Sequence, residues 1–189
     1  LLYGDYAKNL MIENGINKDK RHVIYNSLDY DSPLENRKKL SENDIYKSHF
    51  DNDNKVIYFI GRLNQSKRLD MIIDALSILK GRGKEYNLVL IGNGDDSENL
   101  KIYSEKKRFN NVWFYGACYD EKELSSLIYN ADLCVSPGNI GLTAIHSLVY
   151  GTPVITHNNF PYQGPEFEVI VENETGLFFE YNNIDSLAD

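Results

Sequence analysis

Two cations five positions apart, Arg62 and Lys67, follow an apolar run that ends in glycine: Lys55-Val-Ile-Tyr-Phe-Ile-Gly61-Arg62-Leu-Asn-Gln-Ser66-Lys67. A cation at a helix start gains nothing from the helix dipole, which disfavours positive charge there. Arg can fork two oxygens and Lys supplies a point charge, so the pair reads as a diphosphate clamp. The bland alternative is a solvated basic helix end beside Arg68. A second stretch, Ser136-Pro-Gly138-Asn139-Ile-Gly141-Leu142-Thr143-Ala-Ile-His146, has the form strand, glycine turn, helix start. Free backbone N–H groups and a positive helix end favour an anion there, and glycine lets the backbone approach it. His146, one turn into that helix, is a candidate ligand contact, weighed against an ordinary core or surface histidine.

Other signals are weaker. Gly92-Asn-Gly94 is half of a dinucleotide fingerprint, but Asp95 and Asp96 follow and would repel a phosphate. A turn lined by backbone, near a sugar or base, fits better, and this counts against a nicotinamide dehydrogenase. Gly116-Ala-Cys118-Tyr119 could offer backbone groups to a nucleobase edge and Tyr119 to stack on it, although loop tyrosines more often simply pack. His157 to Glu168 is a long polar and aromatic loop, in which Glu166 and Glu168 are candidates for hydroxyl contacts or are plain solvated acids. The histidines His22, His49, His146 and His157 show no metal-ligand spacing, and neither HExxH nor CxxC occurs, so no metal is expected.

The elements that must carry these groups alternate. Apolar strands are expected at 55–60, 87–91, 112–115, 133–135, 153–156 and 175–180. Helices are expected between them: one from Ser66 with Leu69, Ile72, Ile73, Leu76 and Leu79 inward, one from Asp95 or Ser97 to about Arg108, one from Asp120-x-x-Glu123, and one with Leu142, Ile145, Leu148 and Val149 on its inner face. Strands that are apolar throughout are covered on both faces, which argues a doubly wound, parallel α/β sheet with right-handed crossovers. Gly61, Gly92, Gly116 and Gly138 then fall at the carboxyl edge, where such sheets bind ligands. Glycine is also ordinary turn chemistry there.

Residues 1–54 read as a lead-in: a helix over Tyr3 to Asn14 stopped by Gly15, a short strand His22 to Asn26, a turn from Asn26 to Pro33, and a charged, exposed helix and loop from Lys38 to Asn54. The regular domain is expected over residues 55–189. With 189 residues and 42% hydrophobic side chains, the chain can bury one real core. Its net charge of −8 disfavours general binding to nucleic acid. Two cysteines, Cys118 and Cys134, in or beside apolar runs suit reduced core thiols in the cytosol. Neither a transmembrane run nor a signal peptide is visible, and a start without Met together with an end inside a helical pattern reads as a piece of a longer protein.

Taken in order, Gly61-Arg62-Leu63…Lys67, Leu-Ile-Gly-Asn-Gly94, Val-Trp-Phe-Tyr-Gly116, Ala131-Asp132…Ser136-Pro137…Gly141-Leu-Thr143…Gly151-Thr-Pro-Val-Ile155 and Thr175-Gly176 resemble the C-terminal half of family 4 (group 1) glycosyltransferases. Val23-Ile-Tyr-Asn26…Asp29 is similar to the strand that ends that family's linker. The resemblance implies a GT-B fold of two Rossmann-like domains, with residues 1–54 as linker and end of the N-terminal acceptor domain and 55–189 as a nucleotide-sugar-binding domain. It implies transfer, with retention and without a metal, from a UDP- or GDP-sugar to a saccharide or lipid-linked acceptor in surface polysaccharide or lipopolysaccharide assembly. It implies a bacterial enzyme of the cytoplasm or of the inner face of the membrane. It puts Arg62 and Lys67 on the donor diphosphate as the catalytic cations, and the backbone of Gly141, Leu142 and Thr143 near phosphate or sugar. With the strand-end glycines and the two loops read above, the donor site is expected to take in Gly61, Gly92, Gly116, Cys118, Gly138 and Asn139. The family's two glutamates eight positions apart fall on Gly138 and His146. The donor-sugar contact is then expected to move to Glu166 or Glu168, with a GT-B-type sugar-nucleotide epimerase or a nucleotide-sugar-binding module without transfer as the alternatives.

Overall fold

A computed structural model describes residues 1–29 and 31–189. Three short helices, α1 (Asp5–Glu13), α2 (Asp31–Arg37) and α3 (Ile45–Phe50), precede the sheet. There follow β1 (Val56–Ile60), α4 (Asp70–Gly81), β2 (Asn87–Ile91), α5 (Ser97–Lys106), β3 (Val112–Gly116), α6 (Glu121–Tyr129), β4 (Leu133–Ser136), α7 (Thr143–Val149), β5 (Val154–His157), β6 (Gly176–Phe179) and α8 (Ile184–Ala188). The six strands are all parallel, in the order β3-β2-β1-β4-β5-β6. This is the doubly wound, Rossmann-like arrangement that the alternation predicts.

The physical reason is visible along β1. Val56 and Tyr58 enter one apolar cluster with Val89, Leu127, Ile128 and Tyr150. Ile57 and Phe59 enter the other with Leu88, Ile72, Ile73 and Leu76. Successive strand residues point to opposite faces, both faces carry helices, and the sequence therefore reads as a continuous apolar run. Burial pushes the Cys134 thiol in this core up to about 11; it and Cys118 are both free thiols.

Several local expectations change. Ser66 does not cap α4: Gln65–Lys67 forms a separate turn of 3-10 helix, Arg68 takes a left-handed φ of 51°, and the α-helix starts at Asp70. At α5 the cap position is Asp96, while Ser97 Oγ bonds back to Gly94. Asp120 does cap α6 by accepting from Glu123 N–H at 2.9 Å. On α7 the buried side chains are Ala144 and Ser147, followed by Tyr150, while Leu142 is 40% exposed. Small residues let this helix lie close on β1. There Tyr58 Oη donates to Ser147 Oγ at 2.6 Å, Ser147 Oγ donates to the Thr143 carbonyl at 2.8 Å, and Thr143 Oγ1 donates to the Ile60 carbonyl at 3.0 Å.

The lead-in packs on this body. Both oxygens of Glu168 accept backbone N–H groups at the start of α1, from Asp5 and Tyr6, at 2.7 Å each. These are the donors a helix start leaves unpaired. In the charged Lys38–Asn54 stretch, expected to be exposed, Tyr46 is buried and its hydroxyl donates to the Leu127 carbonyl at 2.6 Å. The expected strand His22–Asn26 reduces to one bridge between Leu2 and Val23, because Tyr25 turns to a φ of 53°. The turn expected over Asn26 to Pro33 passes through Tyr30, which lies outside the described residues; α2 already begins at Asp31.

Candidate functional site

The strand order reverses between β1 and β4, and in open α/β sheets that switch point is where ligands settle. The loop after β1 carries Arg62 and Lys67; the turn after β4 carries Gly138, Asn139 and Gly141. The two loops touch. The Lys67 ammonium donates to the Asn139 carbonyl, and Gly138 N–H donates to the Lys67 carbonyl at 3.0 Å. A Cβ on Gly138 would lie 2.2 Å from the Ser66 carbonyl oxygen and 2.8 Å from Lys67 Cα. Glycine stands there because the cation loop crosses directly over it, so a glutamate side chain has no room in this arrangement.

Lys67 is half-buried. Burial pushes its ammonium below the ordinary value of 10.5, while the nearby Glu166 carboxylate acts in the opposite direction. A desolvated cation of this kind gains by meeting an anion. Arg62 is exposed and lines a cavity of about 340 Å3 together with Ile60, Gly61, Asn93, Cys118 and Tyr119. Gly92 belongs to the same wall, and a Cβ there would lie 1.8 Å from the Gly61 carbonyl oxygen. The glycine again serves the crossing of two loops. Gly116 closes the row through its carbonyl, which accepts from Gly92 N–H at 2.8 Å.

Cys118 reaches the Glu123 carboxylate at 3.5 Å, and desolvation followed by that carboxylate raises its thiol pKa. Tyr119 is 94% exposed. His146 sits one turn beyond the switch-point turn. Its Nε2 is 3.1 Å from Glu121 Oε1, which also accepts from Tyr150 Oη at 2.6 Å. Glu166 is buried and its Oε1 accepts from Asn26 Nδ2 at 2.7 Å. Glu168 is turned away from the turn to hold α1. Gly61, Arg62, Gly92 and Cys118 thus share one cavity, while Lys67, Gly138 and Asn139 meet where the loops after β1 and β4 touch, with Glu166 near Lys67. Gly141, Leu142, Thr143 and His146 flank them on α7 and its approach.

Three residues of this region have roles that the sequence reading did not assign. Gln163 locks the turn: its Oε1 accepts Ile140 N–H at 3.0 Å and its Nε2 donates to Thr156 Oγ1 at 2.8 Å. Asn26 and Glu121 reach Glu166 and His146 from 140 and 25 positions away in the chain, respectively. Only the folded chain brings such pairs together. Among the described residues, no group of three or more His, Cys, Asp or Glu side chains is placed to hold a metal ion.

The model of the glycosyl transferases group 1 family matches residues 41–189. A 41.2 kDa protein of the cps region of Klebsiella pneumoniae is 28% identical over 97% of this chain and 48% of its own length. Among solved structures, the lipopolysaccharide outer core galactosyltransferase WaaB aligns with a TM-score of 0.77 at 19% identity, covering 99% of this chain and half (50%) of that one. HepE of Anabaena in complex with UDP aligns with a TM-score of 0.74 at 20% identity, covering 99% of this chain and 51% of that one. The chain spans about half the length of these relatives.

Proposed function

The chain belongs to the group 1 glycosyl transferases, and from that membership we propose that it forms the donor-binding part of a retaining, metal-independent sugar transferase. The observation that carries this reading is the contact of the Lys67 loop with the Asn139 turn at the switch point. It holds a half-buried ammonium at the switch point, and the exposed Arg62 of the same loop lines the cavity with Gly61, Gly92 and Cys118.

The donor is a nucleoside diphosphate sugar, UDP- or GDP-linked. Its diphosphate lies between Arg62 and Lys67, and its nucleoside occupies the cavity between Gly61 and Tyr119. The sugar end faces the Gly138–Thr143 turn. As the glycosyl bond breaks, negative charge collects on the departing diphosphate. Cations already fixed in a partly desolvated site stabilise that charge without reorganising. The sugar passes to a saccharide or lipid-linked acceptor held by the remainder of a longer protein. The role is assembly of a surface polysaccharide, at the cytoplasmic face of the membrane. The relative from the cps region supports that setting. Among the described residues, no helix is long and apolar enough to cross a membrane.

A second reading, a nucleotide-sugar-binding module without transfer, is favoured by one observation. The family's paired glutamates are replaced by Gly138 and His146, and Gly138 is locked against the Ser66–Lys67 backbone. Product analysis of the full-length protein separates the readings. Transfer to an acceptor supports the first, binding without turnover the second, and release of a new free sugar would contradict both in favour of an epimerase.

A further inference from the structure

The peptide unit between Asn139 and Ile140 is held at both ends by side chains from other elements. Its carbonyl accepts from the Lys67 ammonium, and its N–H donates to Gln163 Oε1 at 3.0 Å. In a trans peptide the C=O and the N–H point in opposite directions across one rigid plane. Lys67 and Gln163 therefore grip that plane from its two sides. Ile140 is buried, so its N–H has no water to turn to, and leaving it unpaired is costly.

Gln163 is itself fixed. Its Nε2 donates to Thr156 Oγ1 at 2.8 Å and to the His157 carbonyl at 3.1 Å, both at the end of β5. Thr156 Oγ1 gives its own proton to the Ser136 carbonyl at the end of β4, at 2.8 Å. Thr156, His157 and Ser136 are all buried. The way round of the amide follows from its partners, since a backbone N–H needs the oxygen and a carbonyl needs the nitrogen. The side chain thus ties the peptide to the ends of two sheet strands.

The consequence falls on Lys67. An ammonium carries three protons, and among the described residues Lys67 spends one of them, on the Asn139 carbonyl. The others remain for an anion. Were the peptide to turn over, the carbonyl would leave the ammonium and an N–H would face it instead. A long lysine side chain without a fixed acceptor regains its rotamer freedom and loses its place. Gln163 closes that route by keeping the Ile140 N–H paired on the far side.

We propose that Gln163 is a positioning residue of the candidate site: by holding the Asn139–Ile140 peptide it fixes the carbonyl that sets the Lys67 ammonium in place, and it acts on the anion only through Lys67. The inference rests on the diphosphate reading above and adds a residue to it.

A double-mutant cycle on the 189-residue chain, read by calorimetric titration with UDP and with GDP, tests it. Gln163→Met keeps the side-chain length and removes both ends of the amide. It is expected to weaken nucleotide binding about tenfold when Lys67 is present and less than about twofold in the Lys67→Ala background, because residues that act through one another are not additive. Thr156→Val, which removes the anchor behind the amide, is expected to show the same pattern with a smaller factor. A general loosening of the turn would weaken both backgrounds alike, and equal factors in the two overturn the inference. A second readout needs no ligand. The Lys67 side chain, followed by NMR with isotopically labelled lysine and assigned by its loss in Lys67→Ala, titrates below 10.5 in the native chain, where burial lowers it and the Glu166 carboxylate acts the other way. Release of the ammonium to water in Gln163→Met should move that titration up toward 10.5; a titration that does not rise overturns the inference. The two readings fail separately. If neither nucleotide binds the native chain but the Lys67 titration rises in Gln163→Met, the diphosphate reading falls and the positioning role stands. If a nucleotide binds through Lys67 and Gln163→Met changes neither readout, the role falls and the diphosphate reading stands.

Discussion

Arg62 and Lys67 differ in setting, and the difference has consequences that can be measured. Arg62 is exposed, whereas Lys67 is half-buried with its ammonium pushed below the ordinary 10.5 by burial. A bound diphosphate favours the charged amine and raises that pKa again, so binding takes up a proton at alkaline pH. Affinity for UDP should therefore hold at neutral pH and fall once pH rises through the depressed Lys67 value, below 10.5. Lys67→Arg, whose charge does not titrate in this range, should flatten that fall. Affinity flat to the alkaline limit in the native chain would remove Lys67 from the site. Both cations stood out in the sequence as charge at an expected helix start, but α4 begins at Asp70 and Lys67 ends the 3-10 turn before it. The partners of Glu166 and His146 were not legible, because Asn26 and Glu121 lie on other elements and local spacing does not say what they meet.

The switch-point turn works through close approach of backbones. Gly138→Ala would push a methyl to 2.2 Å from the Ser66 carbonyl oxygen. The expected cost is about 1–3 kcal/mol, as for overpacking, read as a lower midpoint in urea. UDP affinity should fall with it, because the same shift moves Lys67. A variant of unchanged stability would mean that the two loops are not in contact. The strand–helix order and the parallel sheet followed from apolar runs and their spacing. The boundaries of α4, α5 and α7 did not. The chain inserts a 3-10 turn at Gln65–Lys67, and the inner face of α7 is set by Ala144 and Ser147 lying close on β1 instead of by its larger apolar residues. Propensity and periodicity carry no term for such proximity.

Across the molecule, the lead-in is joined to the domain by apolar packing through Tyr6, Tyr46 and Phe50 and by polar contacts that hydropathy does not reveal. Glu168 is the clearest, holding two N–H groups at the start of α1 from 163 and 162 positions away in the chain. Glu168→Ala should cost about 1–3 kcal/mol, because it orphans donors at a helix end. Hydrogen exchange at Asp5 and Tyr6 should rise while the amides of β1 and β2 stay protected. Equal loss of protection throughout would mean that the lead-in and the sheet open as one unit. The central claim concerns the site between the loops, and isothermal titration of the chain with UDP and GDP, without metal, tests it most directly. One nucleotide should bind, and the Arg62→Ala, Lys67→Ala double variant should weaken it at least about a hundredfold, from two charge-assisted contacts of roughly 1.5–3 kcal/mol each. Equal affinity in the native chain and the double variant would contradict the account.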